Sequence, residues 1–269
     1  MQNAIERMCN AICDILHDNV LCMYLFGSVT MDDFQPGWSD IDFLCLTEHP
    51  ITDTQAQLLL PLRQTLLKNE PGNPYYRSFE GIITSLEEFR SEQFSKVVYW
   101  GTSGQRIRSS YKFDVFSQYS LLRHGRLIRG TDVREQFTMP SYAELVRGVE
   151  KHYQSIRQYT VTTGPELYSC GWLLDIARCL YTLKTGDLIS KTEAGRWALA
   201  HNLCPEPEQM RKTLEIRLSP EQYREDWDVQ VWLSSLGPTV QRFADVLEQD
   251  ITAYSSQGDC HASFRTGSQ

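Results

Sequence analysis

The chain has 269 residues, 41% of them hydrophobic, which is enough for one large or two modest domains with ordinary cores. Its net charge of −8 argues against a general nucleic-acid binder, which needs a basic footprint for phosphates, and suits a small cationic substrate. No apolar run approaches the ~18 residues that cross a bilayer, no basic-then-apolar leader is present, and the eight cysteines form no CxxC pair, so a cytoplasmic protein with reduced thiols is expected.

Ile5, Met8, Ile12, Ile15 and Leu16 recur at helical spacing and predict an amphipathic helix over residues 3–18. Val20 to Phe26 is then a seven-residue apolar run that ends at a glycine, as a short buried strand followed by a forced turn does. Gly27 has no side chain to hold a phosphate away, and Ser28 offers a hydroxyl and a backbone N–H where a helix can begin. Residues 31–38 contain a Pro36-Gly37 turn signal and read as a solvated connection. On the strand that follows, Asp40 and Asp42 stand two apart, so both carboxylates share one face. Beside Ile41, Phe43 and Leu44 such a pair is expensive to bury without a counter-charge, and a divalent cation is the usual remedy.

Thr52 or Asp53 caps a predicted helix reaching about Lys68, with Leu58, Leu62 and Leu66 at four-residue steps, before the Pro71-Gly72-Asn73-Pro74 loop. Phe79, Ile82 and Ile83 mark another strand, interrupted by Glu80. That glutamate is either an edge-strand residue facing water or a third carboxylate beside the aspartates, able to take a proton from an attacking hydroxyl or to complete a metal shell. Ser85 and Glu88 form a capping box for a helix to about Ser95. The stretch 97–110 mixes aromatic, glycine and basic residues and reads as a loop at a substrate mouth or a connector. Its Trp100 either stacks on a ligand or covers core. Apolar spacing returns around Asp114, from Phe113 to Leu122, and residues 125–130 resemble a short strand closing the first domain.

From Pro140 the pattern turns helical, with helices expected at about 142–159, 166–184, 191–203, 220–233 and 238–254. The chain therefore reads as α+β: a domain over 1–140 with a mixed sheet and flanking helices, an all-α helical-bundle domain over 141–255, and a loose tail over 256–269. In the second domain a helix ends at Gly186 and Lys191 sits in the first turn of the next. A cation is misplaced there electrostatically unless it awaits an anion such as triphosphate, and the alternative is a solvated lysine.

Gly27-Ser28, about a dozen residues, and Ser39-Asp40-Ile41-Asp42 on a second strand together resemble the signature of the nucleotidyltransferase superfamily typified by polymerase beta. A second block runs Ala177-Arg178, Tyr181, Thr185-Gly186, Leu188, Lys191, Ala194 and Trp197-Ala198. Following such a domain, it resembles the streptomycin/spectinomycin adenylyltransferases among the aminoglycoside nucleotidyltransferases. The resemblance implies Mg²⁺-dependent transfer of AMP from ATP to a hydroxyl of an aminoglycoside or aminocyclitol, with release of pyrophosphate. It implies that Ser28, Asp40 and Asp42 hold nucleotide phosphates and one or two Mg²⁺, and that Glu80 is the general base. Ser39 and Asp114 match further positions around the nucleotide, Arg178 and Lys191 reach its phosphates, and Trp100 corresponds to a substrate-side tryptophan of that family. The acids that lie ten and fourteen residues before the arginine in streptomycin-using members fall here on Tyr168 and Gly164, with Glu166 the nearest carboxylate. The alternatives are another acceptor, such as a lincosamide or a protein or tRNA hydroxyl, and a non-catalytic nucleotide-binding module. The presence of all three carboxylates speaks against the last of these, since binding alone requires no base.

Overall fold

The computed structural model describes residues 1–101 and 104–263, with 255–263 as backbone only. The chain divides into two compact units, Met1–Met139 and Pro140–Gln269. The first is built from α1 (Gln2–Leu16), β1 (Val20–Phe26), β2 (Ile41–Thr47), α2 (Asp53–Leu59), α3 (Leu62–Asn69), β3 (Phe79–Ser85), α4 (Leu86–Ser91), β4 (Val97–Gly101), β5 (Gly104–Arg108), α5 (Val115–His124) and β6 (Arg126–Gly130). Its six strands lie in the order β5-β4-β3-β2-β1-β6. β2 and β3 run parallel, and the other neighbouring pairs are antiparallel.

Alternation along the strands sends two sets of side chains to opposite faces of this sheet. Met23 and Leu25 of β1, Ile41, Phe43 and Cys45 of β2, and Phe79 and Ile83 of β3 pack with Ile5, Met8, Ile12, Leu59, Leu62 and Leu66 of the first three helices. Tyr24, Phe26, Leu44, Leu46 and Ile82 face the other way, with Leu121 of α5 and with Leu86 and Phe89 of α4. Asp42 and Glu80 belong to this second face by parity. They lie where the last residue of β1 meets the starts of β2 and β3, since Phe26 pairs with Asp42 and Asp42 with Glu80.

The single helix expected from 53 to 68 is two helices. Pro61 lacks an N–H and clashes with the preceding turn, so α2 ends and α3 begins around it. The helix opened by the Ser85–Glu88 capping box is also shorter than expected, ending at Ser91 with Glu92 left-handed. The stretch 97–110 is no simple loop: β4 and β5 pair from Val97–Arg108 to Gly101–Gly104, and residues 102–103 between them lie outside the described residues. Glu80 is not on an edge, because β3 is paired on both sides.

The second unit is all helix: α6 (Tyr142–Tyr159), α7 (Tyr168–Thr185), α8 (Lys191–Ala200), α9 (Pro207–Leu218), α10 (Pro220–Tyr223), α11 (Trp227–Ser234) and α12 (Gly237–Ser263). α7 is its centre, with Leu173, Leu174, Ile176, Ala177 and Leu180 all nearly inaccessible. Arg157 ties α6 to α12 through the Gln241 carbonyl at 3.0 Å and the Asp245 and Glu248 carboxylates at 2.5 and 2.8 Å. α9 occupies the interval between the helices expected at 191–203 and 220–233, with Pro207 at its start, where the missing N–H is harmless. α12 continues into the stretch expected to be a tail, and residues 264–269 lie outside the described residues. No helix among the described residues is long and apolar enough to cross a membrane.

Candidate active site

After β1 the chain turns sharply. Gly27 takes φ +67°, and a Cβ built on it would fall 2.0 Å from Oδ2 of Asp42. An alanine there would collide with the carboxylate, so Gly27 lets the Asp42 carboxylate come up against the turn. Its amide donates to Oγ of Ser120 on α5 at 3.0 Å, and a single 3-10 turn, Gly27–Val29, follows in place of a longer helix. Ser28 Oγ donates to the Asp40 carbonyl at 3.3 Å, linking the turn to the start of β2. Ser39, 8% exposed, accepts the Gln35 amide through its Oγ at 3.0 Å and so closes the loop that delivers Asp40.

Asp42 and Glu80 are direct partners across the parallel β2–β3 pair, so both carboxylates start from neighbouring positions on one face. Glu80 Oε1 accepts the hydroxyl of Tyr99 at 3.1 Å. Asp114 caps α5, its Oδ1 accepting the Phe116 and Ser117 amides at 3.0 Å each. The Tyr111 hydroxyl stands among these acids: its pKa is pushed well up, first by burial and then by Asp114, Tyr99, Glu80 and Asp42. Asp42, Glu80 and Asp114 thus share one electrostatic neighbourhood.

The same end of the sheet contains a buried cation. Arg63 of α3 is 7% exposed; its Nη1 donates to the Phe79 carbonyl at 2.5 Å, its Nη2 to the Gly101 carbonyl at 3.2 Å and its Nε to Gln105 at 2.9 Å. Burial lowers its pKa, while the charges of Glu80, Asp40 and Tyr99 act in the opposite direction.

Trp100 requires a correction. It is 0% exposed, tilted against Phe43 at 5.2 Å between ring centroids, with the Arg63 guanidinium 5.9 Å from its ring. On a strand, neighbouring residues face opposite ways, so Tyr99 meets the carboxylates and Trp100 enters the core, leaving no free face for a ligand.

In the helical unit Gly186 ends α7 in the left-handed conformation, and the chain returns so that Lys191 opens α8 beside α7. Arg178 and Lys191 converge on Asp175: Arg178 Nη2 and Lys191 Nζ lie 3.1 and 3.0 Å from its Oδ1, and His152 Nε2 lies 3.9 Å from its Oδ2. Although burial opposes ionisation, Lys191, Arg178 and His152 bring the Asp175 carboxyl from 3.8 down to about 2. The sequence reading missed Asp175 and His152, along with Arg63, Tyr99, Tyr111 and Ser120. An acid inside the otherwise apolar stretch 173–177, three residues before Arg178, was the one signal for Asp175.

Asp40 and Asp42 offer the hard oxygen donors that Mg²⁺ takes, one or two carboxylates with phosphate oxygens and water completing its shell. Among the described residues no group of three His, Cys, Asp or Glu side chains is arranged to hold a metal unaided.

Residues 5–90 match the nucleotidyltransferase domain family, and residues 140–250 match the aminoglycoside adenylyltransferase C-terminal domain family. Among solved structures, spectinomycin adenyltransferase AAD(9) from Enterococcus faecialis, crystallised with ATP and spectinomycin, is 17% identical. It superposes with a TM-score of 0.67 over 92% of this chain and 99% of that one. This likeness establishes the fold. A toxin–antitoxin complex with AMP-PNP is 18% identical over 55% of this chain and 91% of that one, with a TM-score of 0.26. The tri-AMPylated Shewanella oneidensis HEPN toxin with its MNT antitoxin is 16% identical over 59% and 93%, also with a TM-score of 0.26.

Proposed function

We propose, for this nucleotidyltransferase whose chain resembles the aminoglycoside nucleotidyltransferases, the transfer of AMP from ATP to a hydroxyl of an aminocyclitol or aminoglycoside. The observation that carries the reading is the pairing of Asp42 with Glu80 in adjacent strands beside the left-handed Gly27. A carboxylate that holds cation and phosphate then adjoins one that accepts a proton.

The acceptor hydroxyl oxygen bonds to the α-phosphorus, the bond from that phosphorus to the bridging oxygen breaks, and pyrophosphate leaves. The hydroxyl proton goes to Glu80. Asp40 and Asp42 would hold Mg²⁺, which when bound supplies charge neutralisation on the phosphates. Gly27 gives the Asp42 carboxylate its room beside the turn, while Ser28 and Ser39 fix the loop that presents Asp40. We assign Asp114 to the nucleotide's surroundings because its charge, like those of Asp42 and Glu80, acts on the Tyr111 hydroxyl. We assign Arg178 and Lys191 to the phosphates as well, with Asp175 as the counter-charge that orders them.

For the acceptor we favour an aminocyclitol without guanidinium groups. Tyr168 is 64% exposed where streptomycin-using relatives carry an acid, and Gly164 lies against Glu166, whose Oε2 would be 2.2 Å from a Cβ built there. The test is mass spectrometry of spectinomycin and streptomycin after incubation with the protein, ATP and Mg²⁺. An added adenylyl mass on spectinomycin is expected, and turnover falls at least about a hundredfold in Glu80→Gln while nucleotide binding persists. Full turnover in that variant removes Glu80 as the base, and no adenylylation of either compound removes this acceptor class.

A further inference from the structure

Tyr99 stands two register positions from Glu80 on the neighbouring strand. It pairs with Ile82 across the antiparallel β3–β4 ladder, and Trp100 pairs with Gly81. Continuing that register puts Gly101 opposite Glu80, and there the strand has no side chain. A Cβ built on Gly101 would lie 1.9 Å from the Tyr99 hydroxyl oxygen and 2.4 Å from Cζ, so the tyrosine ring leans along β4 into this space. The lean brings its hydroxyl to Glu80 Oε1 at 3.1 Å. The ring is held from two sides, by Tyr111 at 6.0 Å between centroids and by the Arg108 guanidinium 5.2 Å from its centre.

A terminal carboxylate torsion is broad and nearly two-fold, so an unrestrained glutamate presents either oxygen in either direction. One donated hydrogen bond to a charged carboxylate breaks that symmetry. The neighbouring groups differ from Tyr99 in what they offer: Asp42 and Asp114 are themselves acceptors, and Arg63 donates to the Phe79 and Gly101 carbonyls and to Gln105. The Tyr99 hydroxyl, by contrast, donates to Oε1 and so can fix the rotation of Glu80.

We infer that Tyr99, seated in the space left by Gly101, is a positioning residue that commits Oε1 of Glu80 to its hydroxyl and leaves Oε2 for the acceptor's proton. The inference rests on Glu80 as proton acceptor. In the intact enzyme Tyr99→Phe removes one oxygen and keeps the ring. It should lower kcat about tenfold with KM for ATP and acceptor within about twofold, because orientation is lost and binding is not. In a Glu80→Gln background the same substitution should change kcat by less than about twofold, since no base remains to orient. An undiminished kcat in Tyr99→Phe, or an equal loss in both backgrounds, overturns the inference. If Glu80→Gln itself retains full turnover, the base assignment fails, and crystal structures then decide about Tyr99 alone. A single Glu80 rotamer in the wild type that becomes several in Tyr99→Phe supports the positioning role, and the same single rotamer in both overturns it.

Discussion

The Asp42 carboxylate stands in the space that any side chain on residue 27 would need, so the turn after β1 and the acid on β2 are fitted to each other. The fit depends on the one hydrogen atom that glycine carries in place of a side chain. Gly27→Ala must both hold an L-residue at φ +67° and displace Asp42, a combined strain of about 1–3 kcal/mol. The expected result is a folded protein with a slightly lower Tm and adenylyl transfer reduced at least about a hundredfold, since the carboxylate is moved off the phosphates. Circular dichroism melts and pyrophosphate release measure the two effects separately. Wild-type activity in the alanine variant would show that Asp42 is free to sit elsewhere.

Arg63 is expected to matter for stability before it matters for chemistry. Its bonds to the Phe79 and Gly101 carbonyls join β3 to β4 on the face away from Glu80. Removing a buried charged donor strands two acceptors, at about 3 kcal/mol or more in Arg63→Met. Urea unfolding of the wild type and the variant gives this difference, and a loss below about 1 kcal/mol would mean that water replaces the guanidinium freely.

Asp42→Asn separates cation binding from folding. The substitution takes one charge from a group that includes Glu80 and Asp114, so the Tm without Mg²⁺ should hold or rise by a few degrees. Calorimetry with a non-hydrolysable ATP analogue and Mg²⁺ should show at least about tenfold weaker binding. Undiminished affinity would point to Asp40 as the sole metal carboxylate.

In the helical unit the Asp175 carboxyl is depressed to about 2, so its contribution to stability is fully present above about pH 4 and is lost as pH falls through 2. The shift from 3.8 corresponds to roughly 2 kcal/mol. Asp175→Asn should therefore be less stable than the wild type at pH 7 by about that amount, and the gap should close between pH 4 and pH 2. A gap independent of pH over that range would assign the effect to packing. Urea midpoints at pH 7, 4, 3 and 2.5 distinguish the two.

The three central strands and the two acids on them were legible because each signal is contiguous: an apolar run, a glycine, a charge inside the next run. The nearness of Asp42 to Glu80 was one of two readings of Glu80, and the parallel register that pairs the two acids decides between them. Arg63, Tyr99 and Tyr111 were not legible, because their roles come from pairings across the sheet that local pattern does not encode. Trp100 shows the reason in miniature. With 97–101 taken as a loop, two adjacent aromatics had no assigned face, and the strand's parity sends Tyr99 to the acids and Trp100 into the core. Pro61 and Pro207 act in opposite ways, one splitting a helix that periodicity joined and the other opening a helix where none was expected.

β1, the first strand to be made, is flanked on its outer side by β6, near the end of the first unit, and its terminal Gly27 amide rests on Ser120. While the chain is still growing on the ribosome, the outer edge of β1 therefore has no native partner until residues 126–130 have emerged. Nascent chains stalled before that point should carry an open, adhesive strand and recruit chaperones, and those stalled just beyond it should not.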